Sequence, residues 1–158
     1  MLATRILCLQ ITDLERLTAV MENYLNEHNV VSKNPMSLVM FQFAIEHVSR
    51  IARVLRQDSG HALLIGMGGS GRASCSRLAV FMAGYELCQL EMSRSYGLEQ
   101  WRDDLKRILM KAGGEGKPTV FLFTDTQIKD EAFIEVGLSG LCEFSPFQNL
   151  RQVHIFLF

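Results

Sequence analysis

The sequence has almost no net charge. Lys and Arg number 16 against 17 Asp and Glu, a formal balance of −1 over 158 residues, so electrostatics provide no reason to expect nucleic acid or an anionic membrane as partner. Paired cysteines are missing as well. Cys8, Cys75, Cys88 and Cys142 form no Cys-x-x-Cys pair and keep no spacing that matches the four histidines, which argues against a zinc site or a disulfide scaffold and for a reduced, cytoplasmic protein with free thiols. No apolar run approaches the roughly 18 residues that would cross a bilayer. Residues 1–9 are mildly apolar with one arginine but lack the core and cleavage site of a signal peptide. Internal repeats and low-complexity tracts are absent too. What is present is 48% hydrophobic residues, ample for one packed core.

Thr12-Asp13-Leu14-Glu15 has the pattern of a capping box, with Thr12 as N-cap. Leu14, Leu17, Met21, Tyr24 and His28 follow at three- and four-residue steps, which predicts a helix over about 13–28, and residues 29–33 read as a polar break. Asn34-Pro35 predicts the opening of a second helix, because asparagine caps well and proline suits the first helical position. Its apolar stripe is Phe41, Ile45, Val48, Ala52 and Leu55, with Arg50, Arg53 and Arg56 on a solvated face. Ser59-Gly60 ends it.

From there the pattern changes. Residues 61–65 form a short continuous apolar run, as a buried parallel strand requires. A glycine-rich turn leads into a helical stretch with Leu78, Phe81 and Met82. Residues 86–92 read as a second strand, and 98–111 as a helix with Leu98, Trp101, Leu105, Ile108 and Leu109 inward. Glycines 113, 114 and 116 break that helix, and 119–123 form a third apolar strand. This β-α-β-α-β alternation is the signature of a parallel sheet covered by helices.

Gly66-Met67-Gly68-Gly69-Ser70-Gly71-Arg72 stands between an apolar strand and a helix, where a phosphate-binding loop must stand. The P-loop pattern is G-x-x-x-x-G-K-[ST]. Gly66 and Gly71 fall in register with it, and Gly68 and Gly69 let the backbone approach an anion without an intervening Cβ. Backbone N–H groups of the loop and the helix N-terminus would point at the phosphates. A tight strand-to-helix turn that binds nothing is the alternative. Two positions depart from the pattern. Arg72 replaces the lysine, keeping the cation as a planar fork. Ala73 replaces the hydroxyl that ligates magnesium. Ser74 follows, turned by about 100° from that position. The loop reads as a binder more than a catalyst.

In a P-loop enzyme the third strand ends on an aspartate for magnesium, often followed by a glutamate that orients the attacking water. Here Phe121-Leu122-Phe123 runs into Thr124-Asp125-Thr126-Gln127. With one alignment Thr124 takes the metal position and Asp125 the water-activating, catalytic one. With the other, Asp125 takes the metal and no glutamate follows. Both leave the site incomplete, and a strand followed by a polar turn is the plainer alternative.

Taken together, Ala44-Ile45-Glu46-His47-Val48-Ser49-Arg50-Ile51-Ala52-Arg53-Val54-Leu55-Arg56, the glycine loop, Tyr96-Gly97, Trp101-Arg102-Asp103-Asp104-Leu105 and Phe121-Leu122-Phe123-Thr124-Asp125-Thr126-Gln127-Ile128-Lys129 resemble the fourth AAA+ module of axonemal dynein heavy chains. The resemblance covers about residues 12–135. It implies an incomplete P-loop NTPase fold of the AAA+ type, a three-layer αβα core with parallel sheet. The division implied is an N-terminal helical lead-in (1–34), a partial AAA+ domain (35–135) and a divergent tail (136–158). The family are microtubule motors with six AAA+ modules in a ring, the first hydrolysing and the fourth binding nucleotide in a regulatory role. The resemblance implies ATP or ADP at Gly66, Gly68, Gly69, Ser70, Gly71, Arg72 and Ser74, with Met67 and Ala73 in the same loop. Asp125 would hold the water-activating position of a degenerate strand. The family usually has glutamine where Ala73 stands, so the resemblance adds no support for Mg2+. Implied partners are neighbouring AAA+ modules and other dynein subunits, with microtubules reached only through the parent, and the implied location is the cytoskeleton of the cilium axoneme.

The resemblance stops after Glu135, before the sensor strand, the last core strand, the helical lid and any arginine finger. The expectation is a truncated or alternatively spliced product, or an incomplete gene model, that does not hydrolyse ATP alone. The family's sheet has strand order 5-1-4-3-2, of which this chain is expected to hold strands one to three. Residues 152–158 have strand composition. The leading expectation for them is an exposed end prone to aggregation. The alternative is that they occupy the vacant fourth-strand slot, whose emptiness would leave a buried strand with unpaired backbone groups.

Overall fold

A computed structural model describes residues 11–57, 60–92, 95–128, 131–133, 135 and 153–157. The readings made above on residues 1–9, Ser59, Lys129, Cys142 and the divergent stretch 136–151 lie outside these.

Among the described residues the main elements follow in the order α1 (Leu14–Val31), α2 (Gln42–Leu55), β1 (Ala62–Leu63), α3 (Arg72–Ala83), β2 (Glu86–Gln89), α4 (Leu98–Leu109), β3 (Thr119–Phe123) and β4 (Val153–Leu157), a mixed fold of helices and strands. The strands form one parallel sheet in the order β1-β4-β3-β2. β3 lies in its middle, and all five of its residues are buried. Alternate side chains of a strand face opposite ways, so β3 feeds two cores. Val120 and Leu122 join Met21 and Leu25 of α1, Ile45, Val48 and Leu55 of α2, and Leu78 and Val80 of α3. Phe121 and Phe123 pack on the other side against Trp101, Leu105 and Ile108 of α4 and against Phe133. Helices therefore cover both faces of the sheet.

The tail corrects the leading expectation. Residues 153–157 are not a loose end but the second strand of the sheet, with Ala62 opposite Phe156 on one side and Phe121 opposite Ile155 on the other. Without it β1 would have no neighbour among the described strands, and the described residues supply four strands where three were expected.

β1 is a correction in the opposite direction. The apolar run 61–65 was expected as a buried strand, yet only two of its residues pair, and Leu63 and Ile65 are 64% and 86% exposed. Ala62 and Leu64 pack on the α1–α3 core. β1 is the end strand among the described strands, and none of its residues joins the α4 cluster.

Helix boundaries also move. Thr12 was expected as the N-cap of α1, but Asp13 takes that role. Its carboxylate accepts the Arg16 N–H at 2.9 Å from an extended backbone, a charge-assisted cap that also suits the positive helix terminus. The helix runs on through the expected break to Val31, where the Ser32 N–H closes it on the His28 carbonyl at 2.8 Å. Asn34-Pro35 does not open α2, which starts at Gln42 behind Phe41. The reason is Asn29. Its side-chain amide donates to the Met36 carbonyl and its side-chain carbonyl accepts the Met36 N–H, both at 2.8 Å, and this paired contact holds residues 35–41 as a strap that is neither helix nor strand. Met36, Leu38 and Met40 pack inward from the strap, leaving Phe41 exposed outside the helix stripe. β2 ends at Gln89 instead of continuing to 92, and α4 widens after Leu109 into a π-turn, Met110–Gly114.

Candidate nucleotide-binding site

β1 delivers the chain to the glycine loop and α3 takes it up at Arg72. Inside the loop the Ser70 N–H closes a turn on the Met67 carbonyl at 3.3 Å. Gly69 and Gly71 both lie at φ 78°, a left-handed conformation that strains residues with a Cβ. Gly71 is the N-cap of α3, accepting the Cys75 N–H at 2.8 Å, and no side chain caps the helix start. The first-turn N–H groups and the positive end of the helix therefore face the space above the loop, the usual arrangement of an anion site.

That space is a pocket of ≈ 280 Å³ lined by Gly69, Ser70, Gly71, Arg72, Ala73, Ser74, Thr124 and Asp125. The fold thus brings six of the nine expected loop residues together with both expected residues from the end of β3. Gly66, Met67 and Gly68 do not line the pocket. Ser74 does, beside Ala73, although its helical angle suggested that it turns away. Arg72 does not extend freely into the pocket: its Nη1 and Nη2 donate to the Leu64 and Met67 carbonyls at 3.2 and 3.3 Å.

The opposite wall is built by hydrogen bonds at the end of β3. Asp125 Oδ1 accepts the Thr126 N–H at 2.8 Å, and the Thr124 and Thr126 hydroxyls lie 3.0 Å apart. Gln127 fixes this turn. Its carbonyl oxygen accepts the Thr124 N–H at 2.8 Å, its amide donates to the Leu90 carbonyl beyond β2, and its side chain is buried. Gln127 was not read as a site residue. The one signal for it was a glutamine three residues after the threonine at a strand end. Leu38 was missed as well: a Cβ on Gly71 would sit 3.8 Å from its Cδ1, so the strap passes beside the loop.

Among the described residues no group of three or more His, Cys, Asp or Glu could hold a metal ion. Asp125 is the carboxylate on the pocket wall, and magnesium would need phosphate oxygens and water to complete its shell.

Over residues 36–141 the sequence matches the family described as P-loop containing dynein motor region D4. It is 60% identical over 126 residues to "Dynein axonemal heavy chain 3" of Homo sapiens, covering 80% of this chain. Similar stretches are 50% identical to human "Dynein axonemal heavy chain 2" and 49% identical to human "Dynein axonemal heavy chain 1", each covering 79% of this chain. The match spans 3% of the length of each of these relatives. The family match takes in the strap from Met36 onward, the glycine loop and the Thr124–Gln127 turn alike, and the chain therefore belongs to the dynein heavy chains of the axonemal type, at their P-loop motor region D4.

Proposed function

We propose that this chain is a regulatory nucleotide-binding module of a dynein heavy chain, which holds the phosphates of ATP or ADP over residues 69–74 and does not hydrolyse them alone. The observation that carries this reading is the pocket in which an uncapped helix start faces Thr124 and Asp125. The loop N–H groups and Arg72 supply attraction for phosphate. Leu38 of the strap lies beside the loop, where it can limit solvent access. Asp125 is placed to orient water or, with Thr124 or Ser74, to meet a magnesium ion carried by the phosphates. A turnover site is weakly provided for, because Ala73 brings a methyl where a hydroxyl is wanted and a single carboxylate lines the wall. In its parent the module would act in microtubule-based movement in the axoneme, against neighbouring AAA+ modules and other dynein subunits.

A second reading, a packing module that binds no nucleotide, is favoured by Arg72, whose guanidinium is already engaged with two backbone carbonyls. Melting of the purified chain with and without millimolar ATP separates the two. A ligand at about 100 times its dissociation constant stabilises by roughly 2.7 kcal/mol, a shift of about 5–10 °C for a chain of this size. Ala73→Glu is the control. A carboxylate in the first turn of α3 suits the helix dipole and repels phosphate, so the variant should melt no lower without ATP and lose the ATP shift. A cooperatively folded parent chain with no shift would leave the packing reading.

A further inference from the structure

The glycine loop has few means of holding its own shape. Four of its residues, Gly66, Gly68, Gly69 and Gly71, lack side chains, and glycine gives up the most backbone freedom when ordered. Met67 at its tip is 85% exposed, and a Cβ on Gly68 or Gly69 would meet nothing within 4 Å. The loop therefore has no packing against the body of the protein at its tip, and Ser70 N–H to Met67 O is its internal turn bond.

Arg72 spans this gap. Its side chain passes over Gly66, where an added Cβ would lie 3.5 Å from Arg72 Cδ and 3.7 Å from Nε. Its two terminal nitrogens then divide: Nη1 goes back to the Leu64 carbonyl at the end of β1, and Nη2 forward to the Met67 carbonyl at the loop tip. We propose that Arg72 is a positioning residue that braces the empty loop, tying its entry to its tip through the planar fork of the guanidinium.

Two physical consequences follow. Carbonyl oxygens beside an anion site repel phosphate, and pairing them with a cation offsets that repulsion while leaving the remaining N–H donors of the guanidinium for a ligand. The brace also makes arginine and lysine unequal here. A lysine ammonium is a single point on a flexible stem and has no rigid fork with which to hold two carbonyls three residues apart. The brace is a property of the nucleotide-free loop, whereas its benefit to phosphate binding rests on the function proposed above.

The test uses the full chain, labelled with 15N, as parent, Arg72→Lys and Arg72→Met, each without nucleotide. Backbone order parameters for residues 66–71 should fall from about 0.85 in the parent to below about 0.6 in both variants, those values marking rigid and flexible backbone. Residues 119–123 should stay rigid in all three, which reports an intact fold. A loop that stays rigid in Arg72→Lys overturns the proposal, as does a parent loop that is already flexible. If Arg72→Met does not fold, Arg72→Lys decides. ATP titration of the same samples gives a separate answer: Arg72→Lys keeps the charge, yet should bind roughly tenfold more weakly through loss of the preformed loop. Undiminished ATP affinity in Arg72→Lys would count against the brace. A parent that ignores ATP removes the nucleotide reading and leaves loop rigidity to judge the brace.

Discussion

At Gly60 a Cβ would lie 2.0 Å from the Val54 carbonyl oxygen. This glycine is required by the close approach of backbone to backbone as the chain leaves α2, and a carbonyl cannot swing aside as a long side chain can. Gly60→Ala should therefore cost about 1–3 kcal/mol, the usual range for forced overpacking, read as a lower urea midpoint with an unchanged slope. Titratable groups make a second prediction at this scale. Burial raises the Tyr96 phenol above its ordinary range, aided by its hydrogen bond to the Asp104 carboxylate, and burial likewise raises the Cys75 thiol. Both groups hold their protons more tightly in the folded chain than in the unfolded one. Their contribution is complete below the unfolded values, 9.0 for cysteine and 10.0 for tyrosine, and is lost as pH rises through the folded values. Urea midpoints should thus fall between pH 8 and 10.5 on this account, and Tyr96→Phe should flatten the upper part of that decline. An identical slope in the variant would remove Tyr96 from the explanation.

Helix boundaries are decided by single side-chain contacts. The hydrophobic steps of α1 and α2 were legible because a 3.6-residue period is visible in any window of the chain. The ends were not, since Thr12 and Asp13 are both good caps in isolation and only geometry selects between them. Asp13→Ala should cost about 1 kcal/mol while Thr12→Ala stays within about 0.5 kcal/mol, and denaturation of the two variants side by side checks the assignment. Asn29 carries more. Asn29→Ala leaves the Met36 N–H and carbonyl without the two 2.8 Å partners that hold them, an expected loss of about 1–3 kcal/mol. It should also free the strap that runs beside Gly71. Exchange of the Met36 amide proton reports that release directly, and unchanged protection in the variant would mean that packing of Met36, Leu38 and Met40 holds the strap unaided.

For the molecule as a whole, β4 is the element on which the sheet depends. Ending the chain at Arg151 would remove the strand between β1 and β3, leaving β1 without its described partner and β3 paired on its β2 side alone. Loss of a cooperative thermal transition is expected, read by far-UV circular dichroism. Improved solubility with unchanged stability would show that the tail is dispensable. Local pattern alone determined much of this protein. The β-α-β-α-β alternation, β3 at residues 119–123, the inward face of α4 and the glycine loop between strand and helix are all written in residues close together in sequence, where periodicity and glycine spacing act directly. Tertiary structure alone decided the rest. It chose the tail as the partner of β1 and β3, left one face of β1 open, set Gln127 behind the Thr124–Asp125 turn, and laid Arg72 across its own loop. Each of these depends on which backbone groups meet across long stretches of chain, and no local pattern of side chains encodes where an unpaired carbonyl or an open strand edge will find its partner.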